Sequence, residues 1–272
     1  MRSIAKNILK KAGVPPLKKF GQNFLKDKSI ISKMVEAAKV SPRDTVLEIG
    51  PGTGILTVEL AKRAKKVIAV EKDERMCKIL KETLQGFDNV KILNEDMRRM
   101  PKMGQGEYKV IANLPFYLSA LIIRKLLESK NQPREMVLII QKEVAQRICA
   151  EPPDLSLLAV SVQFYAKPEI ISYINKKSFW PQPEVDAAII KITPQKRLSA
   201  LAPDKFFLIV KAGFSQPRKQ ILNNLSKVLK LSKEKVKNWL LKNNIQPDQR
   251  AETLKVQDWI NLTKSFKFNG EI

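Results

Sequence analysis

Short apolar runs alternate with segments of helical periodicity through the first half of the chain. Runs of four or five mainly aliphatic residues predict strands at 45–49, 67–70, 90–93, 108–112 and 136–140. Apolar residues that recur every three or four positions predict helices at 29–40, 55–64, 74–84, 118–127 and 143–150. Because the strands are apolar on both faces and alternate with helices, the pattern predicts an α/β fold with a parallel sheet between helix layers.

The second half of the chain changes character. A helix is predicted at 155–166, and the runs at 169–174 and 187–192 are candidates for the last two strands of the sheet, in an antiparallel orientation. After residue 203 the sequence is rich in lysine and leucine at helical spacing. We therefore expect an α/β domain at 1–197 with a basic N-terminal arm, and a small all-helical domain at 198–272.

Positive charge dominates and is concentrated in two regions. The chain holds 50 Lys and Arg against 27 Asp and Glu, a net charge of +23. Residues 1–28 contain eight Lys and Arg and one acidic residue, and residues 205–247 contain ten Lys and Arg and one acidic residue. This excess predicts a polyanionic partner, with nucleic acid first and a merely solvated basic surface as the alternative. A transit peptide is disfavoured because Gly-Val-Pro-Pro at 13–16 interrupts any amphipathic helix there.

Several functional classes are excluded by composition. Histidine is absent, which removes Ser-His triads, imidazole bases and histidine-ligated zinc. The two cysteines, Cys77 and Cys149, provide neither a metal cluster nor a disulfide framework, as expected in a reducing cytosol. Since no apolar run approaches 18 residues, no membrane span is predicted. We expect a cytoplasmic protein without a metal.

Three features follow consecutive predicted strands, where ligands of open α/β sheets bind. They are the glycine turn GPGTG at 50–54, Glu71 and Asp96. The glycines permit a tight turn and a close approach to a ligand, and an acid about 20 residues later suits ribose hydroxyls. Asp96 is placed to bind the amine of an adenine ring. The glycine spacing differs from those of NAD sites and P-loops, and the set resembles the S-adenosylmethionine site of Rossmann-like methyltransferases.

The tetrapeptide Asn113-Leu114-Pro115-Phe116 follows the fourth predicted strand and is similar to the catalytic loop of amino-methyltransferases. The Asn113 side-chain oxygen and the Leu114 carbonyl can accept hydrogen bonds from the N6 hydrogens of adenine, which frees the nitrogen lone pair for attack. Pro115 stiffens the turn, and Phe116 offers a face for base stacking. The alternative is an ordinary turn at a strand end.

Further blocks make the resemblance more specific. They are FGQNFL at 20–25, QKEVAQRI at 141–148, SFWPQPEVDAA at 178–188, FSQPRKQILNNL at 214–225 and RAETL at 250–254. Together they resemble the rRNA adenine N6-methyltransferase family, and within it the small-subunit dimethyltransferases. The implied activity is dimethylation at N6 of two adjacent adenosines in the 3′-terminal hairpin loop of small-subunit rRNA. S-adenosylmethionine is the implied donor, and the implied partner is the immature small subunit.

The resemblance also implies residue roles. Cofactor contacts fall on Asn23, Leu25, Gly50, Glu71, Asp96 and Asn113. The catalytic loop is Asn113, Leu114, Pro115 and Phe116, and Phe116 and Phe179 would sandwich a flipped adenine. Arg218 and Lys219 would bind RNA, with a solvated helix face as the alternative. Nothing in the sequence indicates an oligomer, so we expect a monomer.

Two departures from the family pattern stand out. Phe116 replaces the usual tyrosine, which loses a hydroxyl, and Leu-Ser-Leu at 155–157 replaces a Tyr-Gly-Arg segment. Two other functions stay open at this point. One is methylation of large-subunit rRNA, of the type that confers macrolide resistance. The other is a non-catalytic RNA-binding factor for assembly or transcription.

Overall fold

The computed structural model describes residues 4–17, 20–99, 103, 106–195 and 201–266. The chain divides into two compact units. The first comprises Met1–Ala145 and Lys167–Pro194, and the second comprises Gln146–Ala166 and Gln195–Ile272. This discontinuous division differs from the single boundary that we predicted near residue 197. A helix of the second unit precedes the last strands of the first, so no one point in the sequence separates the units.

A seven-stranded sheet forms the centre of the first unit. Its strands are β2 (Thr45–Ile49), β3 (Lys66–Glu71), β4 (Val90–Asn94), β5 (Lys109–Asn113), β6 (Glu135–Gln141), β7 (Ala166–Ile174) and β9 (Ala187–Pro194). Their order is β4-β3-β2-β5-β6-β9-β7. β4, β3, β2, β5 and β6 are parallel, whereas β9 pairs with β6 in an antiparallel register. The predicted α/β fold and the antiparallel strand at 187–192 are therefore confirmed.

Both faces of the central strands of this sheet are buried, whereas the edge strands β4 and β7 are partly exposed. Val46 and Leu47 are consecutive in β2, point to opposite faces and are each fully buried, and the same holds for Val137 and Leu138 in β6. The helices of this unit are α1 (Ile4–Lys11), α2 (Lys28–Ala37), α3 (Ile55–Ala61), α4 (Glu74–Thr83), α5 (Ser119–Leu127) and the first residues of α6 (Lys142–Ile148). This cover explains why the strands are continuous apolar runs.

A buried ion cluster lies where β5 begins. The Lys109 ammonium is 3.2 Å from Asp44 and 3.0 Å from Glu135, and it also donates to the carbonyls of Ala38 and Lys39. Those carbonyls directly follow α2, so the lysine binds orphan acceptors at the end of that helix. The cluster fixes the end of α2 against the edge of the sheet opposite the glycine turn.

The N-terminal region contains elements that the periodicity did not predict. α1 ends at Lys11, before the Gly-Val-Pro-Pro run, and buries Ala5 and Leu9 in a small cluster with Phe24 and α4. β1 (Phe24–Leu25) and β8 (Phe179–Trp180) form a separate two-stranded antiparallel sheet. The two strands have only two residues each, which is too few to show a period, and tertiary packing defines them.

The second unit is helical, as predicted for its C-terminal part. It contains α7 (Leu157–Tyr165), α8 (Pro203–Gly213), α9 (Ile221–Leu229), α10 (Lys233–Lys242) and α11 (Val256–Ser265). Trp259 and Phe206 are fully buried in its core, and the ring of Phe164 from α7 stacks on Phe206 at 3.9 Å. This aromatic contact explains why α7 belongs to the helical unit. Ser156, from the segment that replaces Tyr-Gly-Arg, caps α7 by accepting from the Ala159 N–H.

Candidate active site

One cleft lies at the carboxyl ends of β2, β3 and β5. Its open space, including solvent at the mouth, is about 1070 Å³. Nine of the predicted site residues line it together: Asn23, Leu25, Gly50, Glu71, Asp96, Asn113, Leu114, Pro115 and Phe116. Parallel strands end at the same edge of the sheet, and this brings together Gly50 and Phe116, which are 66 positions apart. The N-terminal segment adds Asn23 and Leu25 to the lining.

The glycine turn forms the floor of the cleft. Gly50 and Gly52 have φ values of +66° and +58°, which disfavour a side chain. A Cβ at Gly50 would contact nothing closer than Pro115 at 3.9 Å, so free space adjoins the backbone there. A Cβ at Gly52 would lie 2.8 Å from the Phe24 ring. The lack of a side chain at Gly50 therefore leaves space for a ligand, whereas the lack of one at Gly52 leaves space for the Phe24 ring of β1.

Glu71 ends β3 and is held by two backbone groups. One carboxylate oxygen accepts from the Gly52 N–H at 3.1 Å, and the other accepts from the Asp73 N–H at 2.8 Å. Burial raises the pKa of Glu71, and these hydrogen bonds oppose that effect. The carboxylate thus ties the glycine turn to the next strand and presents its remaining lone pairs to the cleft.

Asp96 has two cationic partners at the rim of the cleft. Its carboxylate accepts from Arg98 at 2.6 Å and lies 2.9 Å from the Lys72 ammonium. The hydrogen bonds from Arg98, helped by Lys72, hold the pKa of Asp96 well below its usual range. The side chain is therefore ionised, and an adenine amine would share it with these two cations.

The catalytic-loop candidate is oriented by a hydrogen bond from the N-terminal region. Asn113 donates from Nδ2 to the carbonyl oxygen of Asn23 at 2.9 Å. This bond fixes the amide so that Oδ1 is the atom left to accept, and no donor to it is found within the described ranges. The Leu114 N–H donates to Ile139 on β6, and the Leu118 N–H donates to the Pro115 carbonyl and closes a short 3₁₀ turn.

A chain of polar contacts holds the segment 20–25 beside the cleft. Gln22 donates from its amide to Asp73 at 2.9 Å and accepts from the Leu17 N–H at 2.8 Å. Asp73 also binds the guanidinium of Arg75, and Arg75 reaches the Pro15 carbonyl at 3.4 Å. These contacts position the Asn23 carbonyl that orients Asn113.

Phe116 and Phe179 are in contact, but they do not form two parallel faces. Their ring centroids are 6.4 Å apart at an interplanar angle of 77°, an edge-to-face pair. Phe179 is only 1 % exposed and does not line the cleft, whereas Phe116 does. A sandwiched base requires parallel faces, so the stacking roles of both rings stay predictions.

Glu48 is a site residue to which the sequence analysis assigned no role. It lies within buried strand β2 and lines the cleft, and its Oε2 has no hydrogen-bond partner among the described residues. Burial raises its pKa to about 8, and the negative charge of Glu71 adds to the shift. An acid inside the apolar run TVLEI was the signal that could have identified it, because buried carboxyls are rare unless they are paired.

The remaining predicted residues lie elsewhere. Arg218 and Lys219 are exposed in the second unit, in the turn between α8 and α9. No group of three or more potential metal ligands occurs in the part of the chain that the structure describes. Within the same part, none of the helices is long and apolar enough to cross a membrane.

The strand order, the glycine turn and the acid after the next strand define a Rossmann-like methyltransferase. Among solved structures, the chain resembles a dimethyladenosine transferase from Plasmodium falciparum at a TM-score of 0.76 and 29 % identity, over 88 % of this chain and 95 % of that one. It also resembles the 23S rRNA methyltransferase ErmE at a TM-score of 0.74 and 25 % identity, over 89 % and 98 %.

The sequence comparisons are more specific. The model of the family described as ribosomal RNA adenine dimethylase matches residues 17–267. Proteins named ribosomal RNA small subunit methyltransferase A are 39 % identical in Dehalococcoides mccartyi, over 97 % of this chain and 93 % of the relative, and 40 % identical in Moorella thermoacetica, over 96 % of each. The chain therefore belongs to the ribosomal RNA adenine dimethylase family, and the predicted family is confirmed.

Proposed function

We propose that this protein uses S-adenosylmethionine to dimethylate N6 of two adjacent adenosines in the 3′-terminal hairpin loop of small-subunit rRNA. It acts as a monomer on the immature small subunit in the cytoplasm. Family membership and the names of relatives near 40 % identity support the reaction class and the small-subunit target.

One observation carries the proposal: the candidate donor site and the candidate acceptor loop share a single cleft. Gly50 and Glu71 line it together with Asn113, and the Asn23 carbonyl links the N-terminal segment to Asn113. Methyl transfer needs a donor and a nucleophile in one enclosed place, in line and close together. The shared cleft therefore favours a catalytic role over RNA binding alone.

The residues present fit the cofactor. Open space beside Gly50 and the remaining lone pairs of Glu71 suit a ribose, and the carboxylate of Asp96 suits an adenine amine. We assign cofactor contacts to these three residues and to Asn23, Leu25 and Asn113. When bound, S-adenosylmethionine supplies an electrophilic methyl group on a positively charged sulfur.

The loop supplies what the nucleophile needs. The N6 lone pair of adenine is delocalised into the ring, which makes the amine a poor nucleophile. Asn113 Oδ1 and the Leu114 carbonyl accept the two N6 hydrogens, which favours a tetrahedral nitrogen and localises its lone pair. Pro115 keeps the two acceptors in register, and Phe116 offers its ring to the base. The methylated nitrogen then loses its proton to water, so no histidine is required.

The second unit is assigned to RNA binding. The segment 205–247 holds ten Lys and Arg against one acid, and Arg218 and Lys219 are exposed within it. Cations on an exposed surface bind phosphates with release of counterions. We therefore propose that Arg218 and Lys219 contact the rRNA backbone.

Methyl mapping on both rRNAs tests the function. Purified protein is incubated with labelled S-adenosylmethionine and immature small subunits or large-subunit rRNA, and the products are analysed by mass spectrometry. We expect N6,N6-dimethyladenosine at two adjacent positions of the small-subunit rRNA. Modification confined to large-subunit rRNA would replace the proposal with the ErmE-like alternative. Cofactor and RNA binding without any transfer would favour the non-catalytic alternative.

A further inference from the structure

Tyr117 follows the catalytic-loop candidate directly and has a different environment from Phe116. Its side chain is 61 % exposed, the largest value among the exposed large hydrophobic residues of the described chain, yet it lines the cleft. Phe116 is half-buried and Phe179 is fully buried, and these two rings contact each other. Tyr117 thus offers the aromatic surface most accessible to an incoming ligand.

The backbone holds the Tyr117 ring in place without covering it. A Cβ at Gly21 would lie 3.2 Å and 3.3 Å from two ring carbons, so the absence of a side chain there lets the ring pack against the main chain. Gly21 has a φ of +61°, which also favours glycine. The 3₁₀ turn at 116–118 fixes the backbone that carries Tyr117. A ring placed in advance loses little conformational freedom when a partner binds.

Depth separates Tyr117 from the residues assigned to the cofactor. Glu71 is 8 % exposed, and the side chain of Asp96 is 19 % exposed. Two cations bind Asp96 at the cleft and stay accessible to solvent. Lys72 lines the cleft, and the side chains of Lys72 and Arg98 are 46 % and 55 % exposed. Exposed aromatic rings beside cations are typical of surfaces that bind single-stranded nucleic acid by stacking and by phosphate contacts.

We propose that Tyr117 is a substrate-positioning residue that stacks on an unpaired RNA base next to the adenine being methylated. The inference rests on the proposed function, because it assumes that RNA enters this cleft. When an adenine is flipped out of a loop, the adjoining base loses its stacking partner. An aromatic ring at the mouth of the cleft can stack on that adjoining base instead. Two neighbouring target adenosines make such a base available at each methylation.

A thermodynamic cycle tests the contact. The probe is a synthetic RNA hairpin with two adjacent adenosines in its loop, together with versions in which the nucleotide on either side of one adenosine is abasic. We expect Tyr117→Ala to weaken hairpin binding by between about 5-fold and 150-fold. One abasic hairpin should bind the wild type as weakly as the variant binds the intact hairpin. Combining the two changes should weaken binding no further.

Companion variants separate stacking from other roles. Tyr117→Phe and Tyr117→Trp keep an aromatic face, and we expect both to bind the hairpin within about twofold of the wild type. Leu121→Ala, at an exposed position on α5 that does not line the cleft, should bind it normally. The affinity of Tyr117→Ala for S-adenosylmethionine should also stay within about twofold, because a stacking residue for RNA makes no cofactor contact.

Four results would overturn the inference. They are a wild type that does not bind the hairpin, no coupling to an abasic site on either side, no rescue by the aromatic variants, and weakened cofactor binding in Tyr117→Ala. Methyl transfer is scored separately on immature small subunits. If Tyr117→Ala is coupled to an abasic site but the wild type transfers no methyl group, this inference is retained and the proposed function is contradicted.

Discussion

The carboxylate of Glu71 accepts a hydrogen bond from the Gly52 N–H at 3.1 Å, so that one side chain ties the glycine turn of β2 to the end of β3. Its other oxygen accepts from the Asp73 N–H at 2.8 Å. Glu71 therefore needs an acceptor at both oxygen positions, one for the glycine turn and one for the backbone that follows β3. This is the contact that shapes the proposed cofactor site.

Replacing Glu71 with Gln is expected to damage cofactor binding. The amide has one oxygen, so its NH₂ group would face a backbone N–H that it cannot satisfy, at a cost of about 1–3 kcal/mol. We expect S-adenosylmethionine to bind at least about 10-fold more weakly in titration calorimetry. Glu59→Gln, at a partly exposed position on α3, is the control. Equal cofactor affinity of Glu71→Gln and the wild type would contradict the assignment.

Glu48 should make stability depend on pH. Its folded-state pKa of about 8 lies above the ordinary value of 4.5, so the folded protein keeps a proton that the unfolded chain has lost between these values. The free energy of unfolding therefore falls as pH rises from 5 to 8. Glu48→Gln removes this linkage. As pH rises, the free energy of unfolding of the variant should therefore increase relative to that of the wild type by up to about 1.4 kcal/mol per pH unit. Urea unfolding at several pH values measures the gap. A gap that is constant across this range would show that Glu48 is ionised in the folded state.

Lys109 should contribute strongly to stability. Lys109→Met leaves the half-buried Asp44 without its cation and leaves Glu135 with Lys191 alone, so we expect a cost of about 3 kcal/mol, at the low end for a broken buried pair. Lys62→Met, which removes an exposed lysine paired with Glu59, should cost less than about 1 kcal/mol. Urea unfolding at pH 7 compares the two variants. Similar losses for both would mean that the cluster at β5 has no special role.

Arg218 and Lys219 should contribute to the salt dependence of RNA binding. Replacing both with Ala removes two proposed phosphate contacts, so the slope of log Kd against log salt should fall by roughly 1.4 to 1.8. Cofactor affinity should not change, because neither residue lines the cleft. Lys62→Ala is a control for charge alone. An unchanged slope would mean that these side chains belong to a solvated surface and do not bind rRNA.

The sequence predicted the sheet and most of the cleft because both depend on features that are visible in short stretches of sequence. Strands buried on two faces are continuous apolar runs, and a turn with φ near +60° requires glycines such as Gly50 and Gly52. The sequence pattern did not show that residues 146–166 belong to the helical unit. That assignment depends on the ring contact of Phe164 with Phe206, and these residues are far apart in the chain.

The sequence pattern could not predict details that tertiary packing determines. The contact of Gln22 with Asp73 spans 51 positions, and no period or motif encodes it. The angle between the Phe116 and Phe179 rings depends on how the 3₁₀ turn at 116–118 packs against β8, so the sequence could indicate two aromatic rings but not their geometry. The run TVLEI indicates that Glu48 is buried, but the sequence does not reveal that the charge of Glu71 also raises its pKa.

Asn113 provides the most direct test of the account, because its amide is oriented by the Asn23 carbonyl and its oxygen is the proposed acceptor for adenine N6. The measurement is single-turnover methyl transfer to small-subunit rRNA by the wild type and Asn113→Ala, at saturating S-adenosylmethionine and RNA. We predict at least about a 100-fold slower transfer in the variant, with RNA affinity unchanged. Transfer by Asn113→Ala at the wild-type rate would contradict the account.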